Sequence, residues 1–269
     1  KLLGLNSILI NAFNTYKDVY FNARNVRNDS CIKEGVSIHI VNHVLRNMYI
    51  QQENDQYLMK IKTKAEYNDP NITISKDKTD NELRDKGFNG LSVLIITPFR
   101  HSCWEYGQNI LKALPQHRKI LNERYIKFKD EYSLGSEQNY KDSQVTGRGY
   151  DFKETFKGNI DDDFMCGISI GDRGVKFCQT LSHAQIMIMS PLRYKLSLKN
   201  NDTINYLSNI EILILDQLDV IEQQNFSNLD DNFTSLNQIP NVYDKTFDYK
   251  RLRLCYVNEI SKYFRQNIL

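Results

Sequence analysis

The run Leu91-Ser-Val-Leu-Ile-Ile-Thr97, closed by Pro98-Phe99-Arg100, decides how this chain folds. It is short, apolar and rich in β-branched residues, with no alternation of polar and apolar positions. A strand of that kind is buried on both faces, as in a parallel sheet, and proline stops the ladder behind it. Two later runs repeat the pattern: Gln185-Ile-Met-Ile-Met-Ser190 ends at Pro191, and Ile210-Glu-Ile-Leu-Ile-Leu-Asp216 ends in a carboxylate. Phe164 to Ile170 is a fourth candidate strand. Helical patterns fill about 102–114, 119–132, 192–208, 217–237 and 248–264. Strands alternating with helices imply right-handed crossovers, so the expected fold class is α/β, a parallel sheet flanked by helices over residues 91–269.

The strand ends carry the chemistry. Thr97-Pro98-Phe99-Arg100, Ser190-Pro191-Leu192-Arg193 and Asp216-Gln217-Leu218-Asp219 each follow a buried strand. In an open parallel sheet the carboxyl ends of the strands face the ligand crevice, so all three motifs belong along one edge. Each alone is weak evidence, because an aspartate at a strand end is often only a helix cap. Their order and spacing together make the signal.

Outward from this region the chain is less regular. Residues 1–52 read as a helical segment. Leu5, Ile8, Leu9 and Phe13 recur at helical spacing, and Val36, Ile40, Val44 and Met48 fall four apart. His39 and His43 are also four apart, but with no third ligand in view ordinary packing outweighs a metal site. Residues 53–90 are polar, with Pro70 in their middle, and read as a long loop or insert. Residues 133–163 are turn-rich and hold Gly147-Arg-Gly149 and Asp161-Asp162-Asp163. That triplet lacks the alternating ligand spacing of a calcium loop and reads as a solvated turn. No internal repeat is visible.

Composition excludes several classes. A chain of 269 residues can bury a large core, as one big domain or two small ones. Five cysteines without a CxxC pair argue against a disulfide framework or a zinc site and fit a reducing compartment. The apolar runs are too short to span a bilayer. A net charge of +2 supplies no global field for nucleic acid, and the basic stretches at 117–129 and 250–265 read as solvated helix faces. Sequons such as Asn71-Ile-Thr and Asn232-Phe-Thr come without a signal peptide and follow from asparagine richness. The expectation is a soluble intracellular protein. Its first residue is not methionine and its last ones lie inside an apolar pattern, so it reads as an excerpt.

The three strand-end motifs, in this order, resemble the first RecA-like domain of DEAD-box RNA helicases. Pro98-Phe99-Arg100 resembles the Pro-Thr-Arg of motif Ia, Ser190-Pro191-Leu192-Arg193 the Thr-Pro-Gly-Arg of motif Ib, and Asp216-Gln217-Leu218-Asp219 stands at Asp-Glu-Ala-Asp. In those enzymes the first two elements grip the RNA backbone, which implies RNA contacts at Pro98, Arg100, Ser190 and Arg193. An arginine fork suits that task. The ATP side departs from the family. There is no glycine between Val36 and Lys86, and nowhere does Gly-Lys-Ser or Gly-Lys-Thr occur. Gln217 stands where the helicases carry the glutamate that activates water, and an amide cannot take up that proton. Asp216 remains as a possible Mg²⁺ ligand, degenerate with Gln217, Leu218 and Asp219.

A narrower resemblance is to the digestive-organ expansion factor family. It rests on Phe156-Lys-Gly-Asn-Ile-Asp-Asp-Asp-Phe164, Ile212-Leu-Ile-Leu-Asp-Gln217 and Tyr263-Phe-Arg-Gln266. Leu94-Ile-Ile-Thr-Pro-Phe-Arg100, Ile120 to Phe128 and His43-Val-Leu45 also fit. The family implies a nucleolar, helicase-like scaffold of the small-subunit processome that lacks ATPase motifs and supports 18S pre-rRNA maturation. Its partners would be pre-ribosomal proteins and U3 snoRNP components, with pre-rRNA or snoRNA nearby. No catalytic residue, cofactor, metal, membrane contact or self-association is expected. A second RecA-like domain would follow Leu269. The rival readings are an RNA-dependent ATPase whose phosphate loop lies outside this sequence, and a pure protein-docking module. The inserts at 52–80 and 133–150 depart from the family.

Overall fold

The computed structural model describes residues 2–67, 78–118, 123–133, 147, 149–172, 174–225, 233–241 and 248–269. The three buried runs form strands β1 (Val93–Ile96), β4 (Ile186–Met189) and β5 (Ile212–Leu215). β2 (Met165–Gly171), β3 (Gly174–Gln179) and β6 (Gln266–Ile268) complete a six-stranded sheet in the order β3-β2-β4-β1-β5-β6. β1 pairs in parallel with β4 and β5, and β5 with β6. Every residue of β1, β4 and β5 is buried, as continuous apolar runs require.

The sheet is not wholly parallel. β2 runs antiparallel to both β3 and β4, so one edge is a hairpin. Along β2 and β3 buried and half-buried positions mix, and a bulge interrupts their register between Gly167 and Ser169. That irregularity hides β3 from a periodicity reading.

Alternate strand residues divide the core, because side chains point to opposite faces. Val93, Ile95, Ile188, Ile212 and Ile214 pack under the long helices. These are α1 (Leu2–Asn14), α2 (Asp29–Tyr67), α3 (Arg100–Ala113) and α4 (Glu123–Tyr132). Leu94, Ile96, Met187, Met189, Leu213 and Leu215 face the other side. There the chain forms α6 (Pro191–Ser197), α7 (Asn201–Tyr206) and α8 (Leu218–Asn225). Two further short helices are α5 (Tyr150–Thr155) and α9 (Leu254–Val257).

Several boundaries differ from the sequence reading. The N-terminal segment is not continuously helical: residues 15–28 break it, and Val19 pairs in parallel with Ile268. Val19 N donates to Asn267 O and Leu269 N donates to Val19 O, each at 2.9 Å, so this stretch extends the sheet beyond β6. The polar stretch from residue 53 begins as helix, since α2 continues to Tyr67. Polar contacts hold it where no apolar stripe does. Buried Asn54 donates to Asp85 Oδ2 at 2.9 Å and accepts from Lys78 Nζ at 2.7 Å. The helix read at 192–208 is interrupted, with Asn200 capping α7 through Asp202 N. The one read at 248–264 is a series of single turns, broken where Glu259 adopts φ 59°. Residues 119–122 and 226–232, within two other expected helices, lie outside the described residues, as do Asn71, Asn232 and Arg148. Among the described residues no helix is long and apolar enough to cross a membrane.

A buried carboxylate pins α2 to the amino end of the sheet. Glu211, just before β5, accepts from Arg253 Nη1 at 2.7 Å and Asn47 Nδ2 at 3.1 Å, and lies 2.9 Å from His43 Nε2. Burial alone would push its pKa up, but His43 and Arg253 outweigh it and hold the carboxyl at about 2, against an ordinary 4.5. A depressed carboxylate stabilises the fold above its unfolded pKa, and that stability is lost as pH falls toward the folded value. Urea unfolding between pH 4.5 and 2 is expected to show a loss of stability that is smaller by roughly 3 kcal/mol in Glu211→Gln, with Asp216 and Glu105 supplying the remainder. A flat profile in the wild type is the contrary result. Gly107 lies where a Cβ would come within 2.6 Å of the stacked, buried Phe128 ring. Gly107→Ala is therefore expected to cost about 1–3 kcal/mol in the same assay.

Candidate functional site

The three strand-end motifs meet at the carboxyl edge of the sheet, as the parallel register of β4, β1 and β5 demands. Asp216, at the end of β5, is the centre of the arrangement and is only 1% exposed. Its Oδ2 accepts from Thr97 Oγ1 at 3.2 Å and its Oδ1 from Tyr106 OH at 2.9 Å. Arg24 Nη1 reaches the same Oδ1 at 2.5 Å. Burial opposes charge on Asp216, but Arg24 and Lys33 outweigh it and hold the carboxyl below the usual range. Burial and the Asp216 charge push Tyr106 well up, so its hydroxyl stays a donor.

Arg24 comes from a strand–loop–helix unit. The extended stretch at Val19–Phe21 leaves the sheet edge, the loop 22–28 turns, and α2 begins at Asp29. Phosphate-binding loops have this architecture, with free backbone amides at the helix start. Here the amides of Asn25, Arg27, Asn28 and Asp29 are taken within the loop. Asn25 N donates to Asn28 Oδ1 at 2.8 Å, and Arg27 N to Asn25 Oδ1 at 3.0 Å. No glycine lies in this loop, and Asp29 sits in the first turn of α2, ion-paired to Arg24. One turn on, Lys33 is buried, with Nζ 3.0 Å from Asp29 Oδ2 and 2.5 Å from Glu105 Oε2. Burial works against charge on Lys33, yet Asp216, Glu105 and Asp29 hold its pKa above the usual lysine value. Glu105 is likewise opposed by burial but held below the carboxylate range by His101 and Lys33. The result is a closed network of alternating charges.

A cleft of about 550 Å³ opens beside this network, between the Arg24 loop, α5 and the start of α8. Among the described residues that line it, Arg24 is the one cation, against Asp29, Asp151, Glu154, Asp216, Asp219 and Glu222. Gln217 adopts φ 55° and its Oε1 accepts from Ser102 Oγ at 2.9 Å. Leu218 and Asp219 open α8 and line the cleft without touching Asp216 through a hydrogen bond among those found.

The residues expected at RNA lie on the same edge. Pro98 lies two residues beyond β1, and Arg100 is the first residue of α3. Ser190 is fully buried and its hydroxyl caps α6 by accepting from Arg193 N at 3.0 Å. Arg100 Nη2 donates to Asp163 O at 2.9 Å, and its guanidinium lies over the Tyr132 ring. Arg193 Nη1 is 3.5 Å from Asp163 Oδ1. The acidic triplet is thus no free solvated turn: Asp161 and Asp163 face the two arginines. The histidines go their own ways. His39 Nε2 lies 2.7 Å from Gln266 Oε1, and His43 Nδ1 lies 3.0 Å from Tyr16 OH. Among the described residues no group of three or more His, Cys, Asp or Glu is placed to hold a metal.

Sequence reasoning passed over Arg24, Lys33, Glu105 and Tyr106. The signal for Arg24 was Asp18-Val-Tyr-Phe-Asn22, a stretch of β-prone residues between two helical patterns.

A family model described as UTP25, NTP hydrolase-like domain, matches residues 16–269. Among curated proteins the chain is similar to the U3 small nucleolar RNA-associated protein 25 of three fungi. The Candida dubliniensis protein is 28% identical over 273 residues, covering 100% of this chain and 35% of that protein. The Botryotinia fuckeliana protein is 30% identical over 257 residues, 94% of this chain and 32% of that protein. The Kluyveromyces lactis protein is 29% identical over 273 residues, again 100% and 35%. The chain spans about a third of the length of these relatives. No solved structure gives a significant match.

Removing one partner of a buried ion pair leaves the other charge stranded. Arg24→Ala is expected to lower unfolding stability by about 3–5 kcal/mol, measured in urea. Replacing the pair together, Arg24→Met with Asp216→Leu, is expected to recover most of that loss. Additive losses in the double variant would mean the pair does not act as a unit.

Proposed function

The chain belongs to the UTP25 family, matching its NTP hydrolase-like domain, and from that premise we propose that it is a RecA-like, helicase-shaped scaffold without ATPase chemistry. Its place is the small-subunit processome in the nucleolus, where it supports 18S pre-rRNA processing. The names of its relatives, U3 small nucleolar RNA-associated protein 25, support this place and the reading that its partners are U3 snoRNP components and pre-ribosomal proteins. The digestive-organ expansion factor likeness read from the Gly158-Asn-Ile-Asp-Asp-Asp-Phe164 run belongs to the same reading.

One observation carries the non-catalytic part: the Arg24 guanidinium occupies the Asp216 carboxylate. In phosphoryl transfer an aspartate at this strand end helps hold Mg²⁺, and a lysine and backbone amides cradle the phosphates. Here the carboxylate is neutralised from within, the loop amides are used by Asn25 and Asn28, and Lys33 is committed to Asp29 and Glu105. The cleft lining is strongly acidic, which opposes a triphosphate. Gln217 cannot act as a base. RNA is held instead by charge and shape, with Arg100 and Arg193 at the edge giving phosphate contacts.

Equilibrium binding of a fluorescent ATP analogue with Mg²⁺, and RNA-stimulated phosphate release, are expected to show neither binding nor turnover. RNA-dependent turnover that disappears in Asp216→Ala would overturn the scaffold reading. Arg100→Ala with Arg193→Ala is expected to weaken RNA crosslinking while particle association persists through protein contacts. Unchanged crosslinking would leave a pure protein-docking module.

A further inference from the structure

Building on the RNA-facing reading of Arg100 and Arg193, we propose that residues 159–163 are a self-bound phosphate mimic that RNA must displace. A phosphodiester backbone at this edge would use the first amides of α3 and the forks of the two arginines. The chain's own segment takes several of them. Arg100 N donates to Asp161 O at 3.1 Å and His101 N to Asn159 O at 2.9 Å. Arg100 Nη2 donates to Asp163 O, and Arg100 Nε lies 3.3 Å from Asp161 Oδ2. Arg193 Nη1 lies 3.5 Å from Asp163 Oδ1. Backbone carbonyls of Asn159, Asp161 and Asp163 thus take the hydrogen bonds, and the carboxylates of Asp161 and Asp163 stand beside the two arginines where phosphate charge would lie.

The segment is built to sit there and to leave. Asp163 N donates to Asp161 Oδ1 at 2.8 Å, which holds the two carboxylates in one turn. Gly158 makes the approach at φ 73°, where a Cβ would stand 2.4 Å from His101 Nδ1. Phe156 anchors the near end against Phe99, with ring centroids 5.4 Å apart. At the far end Ser190 N donates to Phe164 O at the head of β2. Between these anchors the acidic residues are exposed, Asp161 by 46% and Asp163 by 51% at the side chain. Exposed ion pairs are weak enough to be exchanged for a polyanion. Asp162 lies exposed between them and sets a further negative charge beside the edge.

The test is binding of a single-stranded 12-nucleotide RNA to the purified protein at fixed salt, by fluorescence anisotropy. Asp161→Asn with Asp163→Asn keeps the shape and one side-chain acceptor oxygen at each position but removes the charge. It is expected to bind roughly five- to twentyfold tighter, with a steeper salt dependence. Asp80→Asn with Asp202→Asn removes the same charge elsewhere and is expected to change affinity less than about twofold. Adding Arg100→Ala and Arg193→Ala to the first pair is expected to cancel its gain. Equal affinities for the wild type and both aspartate pairs, with the arginine changes still weakening them, overturn the mimic and leave the RNA reading standing. Equal gains from both pairs overturn it too, since net charge alone would then account for them. Absence of RNA binding in every variant overturns the RNA reading and the mimic with it.

Discussion

Asp216 holds a negative charge at the end of a strand from which water is excluded, and Arg24 is the group that makes this tolerable. Much of the carboxyl edge follows from that pair. To reach Asp216 the guanidinium must project from the loop before α2, which requires Val19–Phe21 to run beside β6. The same guanidinium meets Asp29, so the helix starts there. One turn later Lys33 lies between Asp29 and Glu105, which joins α2 to α3. Tyr106, a neighbour of Glu105 on α3, closes the circuit on Asp216. An internal cation holds the edge together, and the cleft beside it is left acidic.

A second polar cluster does the same work along the middle of α2. Glu211 and Arg253 join the helix to the start of β5 and to the C-terminal turns. Arg251, between Asp85 and Asp55, ties the distal half of the helix to those same turns. Buried ion pairs add little net stability over apolar packing, but an unpaired charge is costly, so they penalise wrong registers. A helix of 39 residues whose apolar stripe covers only part of its length needs such points of attachment.

In the scaffold reading proposed above, an edge that meets RNA while its nucleotide side is neutralised from within would have no chemical cycle to drive motion. Its contribution is then positional, made through surfaces rather than turnover. The acidic segment at 159–163 gives such an edge a threshold: only a ligand able to replace several contacts together would engage both arginines.

The parallel heart of the sheet was legible in the sequence, because β1, β4 and β5 are each four consecutive apolar residues, short, rich in Ile and bounded by turn residues, the pattern of strands buried on both faces. The shared edge of Thr97, Ser190 and Asp216 followed from strand polarity alone. β3 was hidden by a bulge and a mixed pattern, and the second half of α2 by side-chain hydrogen bonds from Asn54 that no hydrophobic period records. The partner of Asp216 was beyond reach for a stronger reason. Arg24 lies 192 positions away, and a charge in an asparagine-rich stretch is indistinguishable from any solvated one until the fold removes the water around it. Local pattern is set by the dihedral and side-chain preferences of neighbours, so sequence determines strands and their direction. Which distant charges meet is set by desolvation in the assembled core, so only the tertiary structure decided that this edge is held by an arginine.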